Sequence, residues 1–214
     1  MTQKTEALDA LLESQPVIPV IVVEDRASAV PLARALVAGG LPMIEITLRT
    51  EAALDAIRAV ANEVEGARVG AGTILTTDQF TDAVEAGSRF IVSPGTTGDL
   101  LDAADDSEVP LLPGAVTASE VMAAMEEGYN FLKFFPAENA GGAGYLKSLS
   151  SPLSGVRFCP TGGIGAGNAR DYLSLPNVAC VGGSWVAPKD AVASGDWGRI
   201  EQLAREARGL REPA

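Results

Sequence analysis

Met43-Ile44-Glu45-Ile46-Thr47-Leu48, followed by the alanine-rich stretch Glu51 to Val64 and by the run Arg68 to Ile74, reads as strand, helix and second strand. In the first run Ile44, Ile46 and Leu48 share one parity, while Glu45, Thr47 and Arg49 share the other. A strand buried on both faces with its polar residues in phase predicts an apolar side turned to covering helices and a polar side turned to an enclosed interior. Six more β-branched runs extend the pattern: Val17 to Val23, Arg89 to Pro94, Pro110 to Val116, Phe131 to Pro136, Arg157 to Gly163 and Val178 to Ser184. Strand starts lie about 21 to 26 residues apart, room for one helix each time. Ala27 to Ala38 and Ser119 to Glu127 have helical spacing, and Gly39, Gly87 and Gly128 stand where helices end. Strict alternation implies a parallel sheet, and eight units predict an α/β (β/α)8 TIM barrel. An open doubly wound sheet competes, and it would require the strand order to reverse. Thr5 to Leu12 predicts an extra N-terminal helix over the barrel bottom. Trp197 to Leu210, with Ile200, Leu203, Ala204 and Ala207 at helical spacing, predicts the last outer helix. No linker or low-complexity stretch divides residues 1–214, so a single domain is expected.

Composition removes several classes of function. A net charge of −12 opposes nucleic-acid binding, which needs a basic face. With no histidine and only two cysteines, Cys159 and Cys180, both in apolar runs, a transition-metal site loses its usual ligands, and neither metal nor cofactor is expected. The two cysteines suit a reducing compartment. No apolar span reaches membrane length and no basic-then-apolar leader opens the chain, so the expected location is cytoplasmic.

Lys133 interrupts the apolar run Phe131-Leu132-Lys133-Phe134-Phe135-Pro136. Burial disfavours the charged form of an amine, and a neutral amine is a nucleophile toward carbonyls. Phe131, Lys133 and Phe135 are in phase, as are Ala71 and Thr73 on the third run. An inward Lys133 would therefore face Glu45, Arg49 and Thr73 across the mouth of a barrel, with the guanidinium fork suited to a carboxylate ligand. A structural ion pair of Glu45 with Lys133 or Arg49, or a lysine snorkelling to the sheet end, explains the same pattern without chemistry. A second signal lies in Thr161-Gly162-Gly163-Ile164-Gly165-Ala166-Gly167-Asn168 and Gly182-Gly183-Ser184, at the ends of the seventh and eighth runs. Glycines there let backbone N–H groups approach an anion, at the place where such barrels hold phosphate. Tight turns are the competing reason for the glycines. Neither a dinucleotide fingerprint nor a Walker lysine is present.

Taken together, Glu45-Ile46-Thr47-Leu48-Arg49-Thr50, Gly70-Ala71-Gly72-Thr73, Ser93-Pro94-Gly95, Lys133-Phe134-Phe135-Pro136 and Thr161-Gly162-Gly163-Ile164 resemble the 2-dehydro-3-deoxy-6-phosphogluconate (KDPG) aldolase / 4-hydroxy-2-oxoglutarate aldolase family. The likeness runs from about Val17 to the C-terminal helix. It implies a class I aldolase, usually a homotrimer, that takes a phosphorylated keto acid and releases pyruvate and glyceraldehyde 3-phosphate. By that likeness Lys133 would form the Schiff base and Glu45 would shuttle protons. Arg49 and Thr73 would hold the pyruvate carboxylate, Pro94 and Phe135 would wall the pocket, and Thr161, Gly162, Gly163, Gly182, Gly183 and Ser184 would sit at the phosphate end. Two departures stand out: Thr117-Ala118 where relatives often have Thr-Pro, and Gly165-Ala166 where many have Ser-Pro. The second loosens the start of the seventh helix and touches phosphate affinity.

Three alternatives stay open on the sequence. A sibling aldolase for 4-hydroxy-2-oxoglutarate or the galactonate epimer would use the same lysine. A non-catalytic barrel that binds a phosphorylated metabolite explains the glycines but leaves Glu45, Arg49 and Lys133 without purpose. A phosphosugar isomerase needs a carboxylate base but no buried amine.

Overall fold

The computed structural model describes Leu8 and residues 15–211, an α/β arrangement of eight parallel strands alternating with helices. The strands are β1 (Val17–Ile21), β2 (Met43–Thr47), β3 (Arg68–Gly72), β4 (Ile91–Val92), β5 (Leu111–Leu112), β6 (Phe131–Phe134), β7 (Arg157–Pro160) and β8 (Val181–Gly183). The helices are α1 (Arg26–Ala38), α2 (Ala53–Glu63), α3 (Thr77–Glu85), α4 (Gly98–Asp105), α5 (Ala118–Glu126), α6 (Gly142–Leu149), α7 (Ala169–Leu173), α8 (Lys189–Ser194) and α9 (Trp197–Arg208). The N-terminal helix expected over Thr5 to Leu12 lies outside the described residues except for Leu8, which is helical and buried.

Six strands form one sheet in the order β5-β4-β3-β2-β1-β8, and β6 pairs with β7. Isolated parallel bridges join Gly114 to Lys133, Phe158 to Val178 and Thr161 to Gly182. Register within the large sheet sets Glu45 opposite Gly70 and Thr47 opposite Gly72. Buried Gln15 helps fix that sheet: its amide accepts from Met43 N–H at 2.9 Å and donates to the Met43 carbonyl at 2.9 Å and the Val17 carbonyl at 2.6 Å.

β4 and β5 are each two residues long, shorter than the runs Arg89 to Pro94 and Pro110 to Val116 that the pattern predicts. Prolines cause this, because Pro94, Pro110 and Pro113 have no N–H to give to a ladder. Beyond β5 the chain still keeps to its neighbour: Lys133 N–H donates to the Pro113 carbonyl at 2.8 Å, and Ala115 N–H donates to the Lys133 carbonyl at 2.9 Å.

Threonines start several helices. Thr76 accepts from Gln79 N–H and Thr97 from Leu100 N–H, and Thr117 forms a capping box with Glu120. The Thr117 and Val116 N–H groups, in that order, hold the Glu120 carboxyl below its usual range. In α2 Ala53, Ala56, Ile57 and Val60 form a buried stripe at helical period, with Ala59 buried at its edge.

Two cores result, one on each face of the strands. The larger combines helix residues with Ile44, Ile46, Val69, Ala71, Leu132, Phe134 and Phe158. The smaller contains Leu8, Ile18, Met43, Phe90, Val92, Leu112, Phe131, Cys159, Ala179 and Cys180, and takes nothing from α1 to α9. Met43 is in phase with Glu45, Phe131 with Lys133, and Cys159 with Thr161. The polar residues thus continue the smaller core toward the C-terminal ends of the strands.

Candidate active site

Lys133 occupies the third position of β6, with Leu132 and Phe134 anchored in the helix-side core. Its side chain therefore points to the other face. There Nζ donates to Glu45 Oε1 at 3.0 Å, across from β2, with the two residues 4 % and 3 % exposed. Desolvating two charges costs several kcal/mol for each ion, and replacing such a pair by apolar residues is often neutral or stabilising. Stability is thus a weak reason for this pair to exist, and chemistry is a stronger one. Nζ also lies 5.6 Å from the centroid of the Phe135 ring.

Arg49 follows β2 and is exposed; its Nε donates to the Thr73 hydroxyl at 3.0 Å. Thr73 reaches that contact by a route the alternation does not foresee. Ala71, expected in phase with it on the interior side, packs in the helix-side core, and the inward positions of β3 are Gly70 and Gly72. The strand ends at Gly72, and Thr73 turns back with φ +61°, a left-handed conformation costly for a β-branched residue. Pro94 lies off the cavity described next; its carbonyl packs where a side chain on Gly114 would start, 2.2 Å away, beside the bridge to Lys133.

A cavity of about 750 Å³ opens at the C-terminal ends of β1, β7 and β8. Its walls include Arg49, Phe135, Thr161, Gly162, Gly163, Gly182, Gly183 and Ser184. Lys133, Glu45, Thr73 and Pro94 are not among its lining residues. Phe135 and Arg49 connect the two regions, since each lines the cavity and also touches the Lys133 or Thr73 side.

The glycines have distinct reasons. Gly162 and Gly163 take φ of +104° and +75°, which side-chain-bearing residues rarely adopt. A side chain on Gly182 would start 2.2 Å from the Thr161 hydroxyl, and one on Gly183 would start 1.8 Å from the Trp185 ring. The loop after β7 is held from several directions. Ala137 and Glu138 N–H groups donate to the Thr161 and Gly162 carbonyls at 2.8 and 3.1 Å. Asn168 donates to the Gly163 carbonyl at 3.2 Å and accepts from Gly165 N–H at 2.8 Å. This side-chain clasp stands where the Gly165-Ala166 departure loosened the expected helix start. Tyr172 donates to the Glu138 carboxylate behind the loop, and burial, then that contact, pushes the phenol up.

The sequence pattern does not single out Glu24, Asp25, Trp185 and Lys189, which also line the cavity. They share one signal that could have found them: each lies between β1 or β8 and the first position of the helix that follows it, at the end of the sheet where every other candidate lies. Among the described residues no group of three His, Cys, Asp or Glu side chains could hold a metal ion, and no helix is long and apolar enough to cross a membrane.

The family signature described as KDPG and KHG aldolase matches residues 8–203. The KHG/KDPG aldolase of Escherichia coli K12 is 54% identical over 204 residues, covering 95% of each chain. A crystal structure of KDPG aldolase from Legionella pneumophila, with pyruvate captured at low pH as a covalent carbinolamine intermediate, superposes with a TM-score of 0.91 at 48% identity, covering 94% of this chain and 97% of that one. The Zymomonas mobilis ZM4 enzyme with 3-phosphoglycerate gives 0.90 at 48% identity, covering 95% and 96%. With half of its residues shared with these proteins over nearly its whole length, the chain belongs to the KDPG and KHG aldolase family.

Proposed function

We propose that the protein is a class I aldolase that cleaves KDPG to pyruvate and D-glyceraldehyde 3-phosphate through an imine on Lys133. The observation that carries this reading is the buried contact of Lys133 Nζ with Glu45 Oε1 at 3.0 Å. Attack requires the ammonium to lose a proton, and that contact supplies an acceptor. The neutral amine adds to the C2 ketone, giving a carbinolamine. Protonated Glu45 returns its proton to the departing hydroxyl as water leaves, and an iminium remains. Glu45, again a carboxylate, removes the proton of the C4 hydroxyl directly or through one water. The C3–C4 bond then breaks, its electron pair flows into the iminium, and glyceraldehyde 3-phosphate departs. The resulting enamine takes a proton on C3 from Glu45, and water hydrolyses the imine to free pyruvate and the amine. The carbinolamine of the Legionella relative is the first intermediate of such a sequence, in that protein.

Arg49 and Thr73 bind the carboxylate of the keto acid, with Pro94 and Phe135 as walls. Thr161, Gly162, Gly163, Gly182, Gly183 and Ser184 receive the phosphate, a role supported by their position around the cavity. The bridges of Gly114 with Lys133 and of Thr161 with Gly182 support closure of the eight strands into a (β/α)8 barrel with an N-terminal helix, as one domain. The barrel works as a homotrimer in the cytoplasm: Met122 and Met125, exposed on α5, offer apolar surface for assembly, and the buried cysteines Cys159 and Cys180, joined in no disulfide, suit a reducing compartment. No cofactor is required, because the iminium is the electron sink.

Sodium borohydride with pyruvate should leave a reduced adduct on Lys133, found by mass spectrometry, and abolish activity. Equal inactivation of Lys133→Ala would remove the covalent step. The double name of the Escherichia coli relative favours a second substrate, 4-hydroxy-2-oxoglutarate. Comparing kcat/KM for the two keto acids and the galactonate epimer ranks them. A preference for the phosphorylated acid supports the anion subsite.

A further inference from the structure

We infer that Gly72 is a positioning residue for Glu45, kept without a side chain so that the carboxylate can reach Lys133. Glu45 stands opposite Gly70 in the register, yet its side chain leans along the strand and covers Gly72, one inward position farther toward the C-terminal end. A Cβ on Gly72 would fall 2.0 Å from Glu45 Oε1 and 2.6 Å from both Cδ and Cγ. The oxygen it would strike is the one that accepts from Lys133 Nζ. Gly72 is not among the glycines with positive φ. An alanine suits its backbone, so the position requires empty space and not conformational freedom.

Gly70 supplies the comparison within the same strand. A Cβ there would lie 2.5 Å from the Phe90 ring, a packing conflict in the smaller core with no reacting group involved. Both inward positions of β3 are therefore vacant, one for an aromatic ring and one for the proton-shuttling carboxylate. In Gly72→Ala the cheapest relief is rotation of Glu45, the free end of a flexible side chain. Rotation breaks its contact with Lys133.

The inference rests on the proposed role of Glu45, and the test separates the two. Pyruvate alone suffices: borohydride trapping reports imine formation, and deuterium exchange into the pyruvate methyl group reports proton transfer at C3. Gly72→Ala should slow methyl exchange by about 10², the usual loss for a removed acid–base group, while the extent of trapping after full equilibration with pyruvate falls much less, because Glu45 speeds imine formation without setting its equilibrium. Glu45→Ala removes the side chain that would be struck, so adding Gly72→Ala to it should change exchange by less than about twofold, a coupling expected of groups in direct contact. Gly70→Ala should lower the melting temperature and leave the ratio of exchange to trapping as in the parent. Equal losses from Gly72→Ala in both backgrounds, exchange at the parental rate, or exchange and trapping falling together would overturn the role of Gly72. Undiminished exchange in Glu45→Ala itself would instead overturn the proton-shuttle reading.

Discussion

At one end of the site Lys133 and Glu45 are almost sealed from solvent and held by a single ion pair. At the other end Gly162, Gly163, Gly182, Gly183 and Ser184 surround an open space of about 750 Å³. The first end works through side chains whose positions depend on what is missing around them. The second offers a wall of main chain, shaped by left-handed turns at Gly162 and Gly163 and braced by Asn168 and Glu138. On the proposed roles, the difference follows from the tasks. Moving protons and forming a covalent bond need one amine and one carboxylate at defined distances, whereas holding a phosphate needs several N–H donors that cannot titrate away.

That division can be broken by experiment, starting with the largest effect. Lys133→Ala should bring aldol cleavage to background while leaving binding of inorganic phosphate or glyceraldehyde 3-phosphate within about twofold of the parent, read by calorimetry. A joint loss would mean that the ends are not separable. Glu45→Gln should lower turnover by about 10² with a smaller change in pyruvate binding, followed by steady-state kinetics; near-normal turnover would move the proton shuttle elsewhere. At the open end, Gly163→Ala forces a Cβ into a left-handed backbone and to within 2.6 Å of Glu138 Cγ. About 1–2 kcal/mol of backbone strain should raise KM for the phosphorylated acid by roughly 5- to 30-fold, with little change for 4-hydroxy-2-oxoglutarate. An equal rise for both substrates would deny a dedicated anion end.

The smallest effect belongs to neither end and calibrates the others. Glu120→Gln removes the charged partner of the α5 capping box and should cost about 0.5–1 kcal/mol at neutral pH. The folded carboxyl titrates below its ordinary value of 4.5. Its contribution is thus complete above that value and disappears as pH falls through the lower, folded one. Melting curves of parent and variant should differ at pH 7 and converge in acid, without any change in KM.

How much of this was legible beforehand varies from strand to strand. β2 and β6 alternate clearly, and the structure places Glu45 and Lys133 on one side with Ile44, Ile46, Leu132 and Phe134 on the other. β3 misleads because its inward residues are glycines, which leave no polar or apolar mark. The apparent phase of Ala71 with Thr73 points to the wrong face, and Thr73 arrives through a backbone turn that no alternation encodes. The proline-bearing runs at β4 and β5 lose their ladders sooner than β-branched content suggests. At the open end the locations were legible from topology, but the reasons were mixed. Gly182 and Gly183 make room for Thr161 and Trp185, packing demands that appear only once the chain is folded.

The main chain at Lys133 is tied on both sides, through its N–H to Pro113 and through its carbonyl to Ala115, while the Thr96 hydroxyl donates to the carbonyl of Gly114 between them. Lys133, the proposed nucleophile, consequently stands on a fixed pedestal. Whatever travel its amine needs between the carboxylate that relieves it of a proton and a bound ketone is confined to a tether of four methylenes.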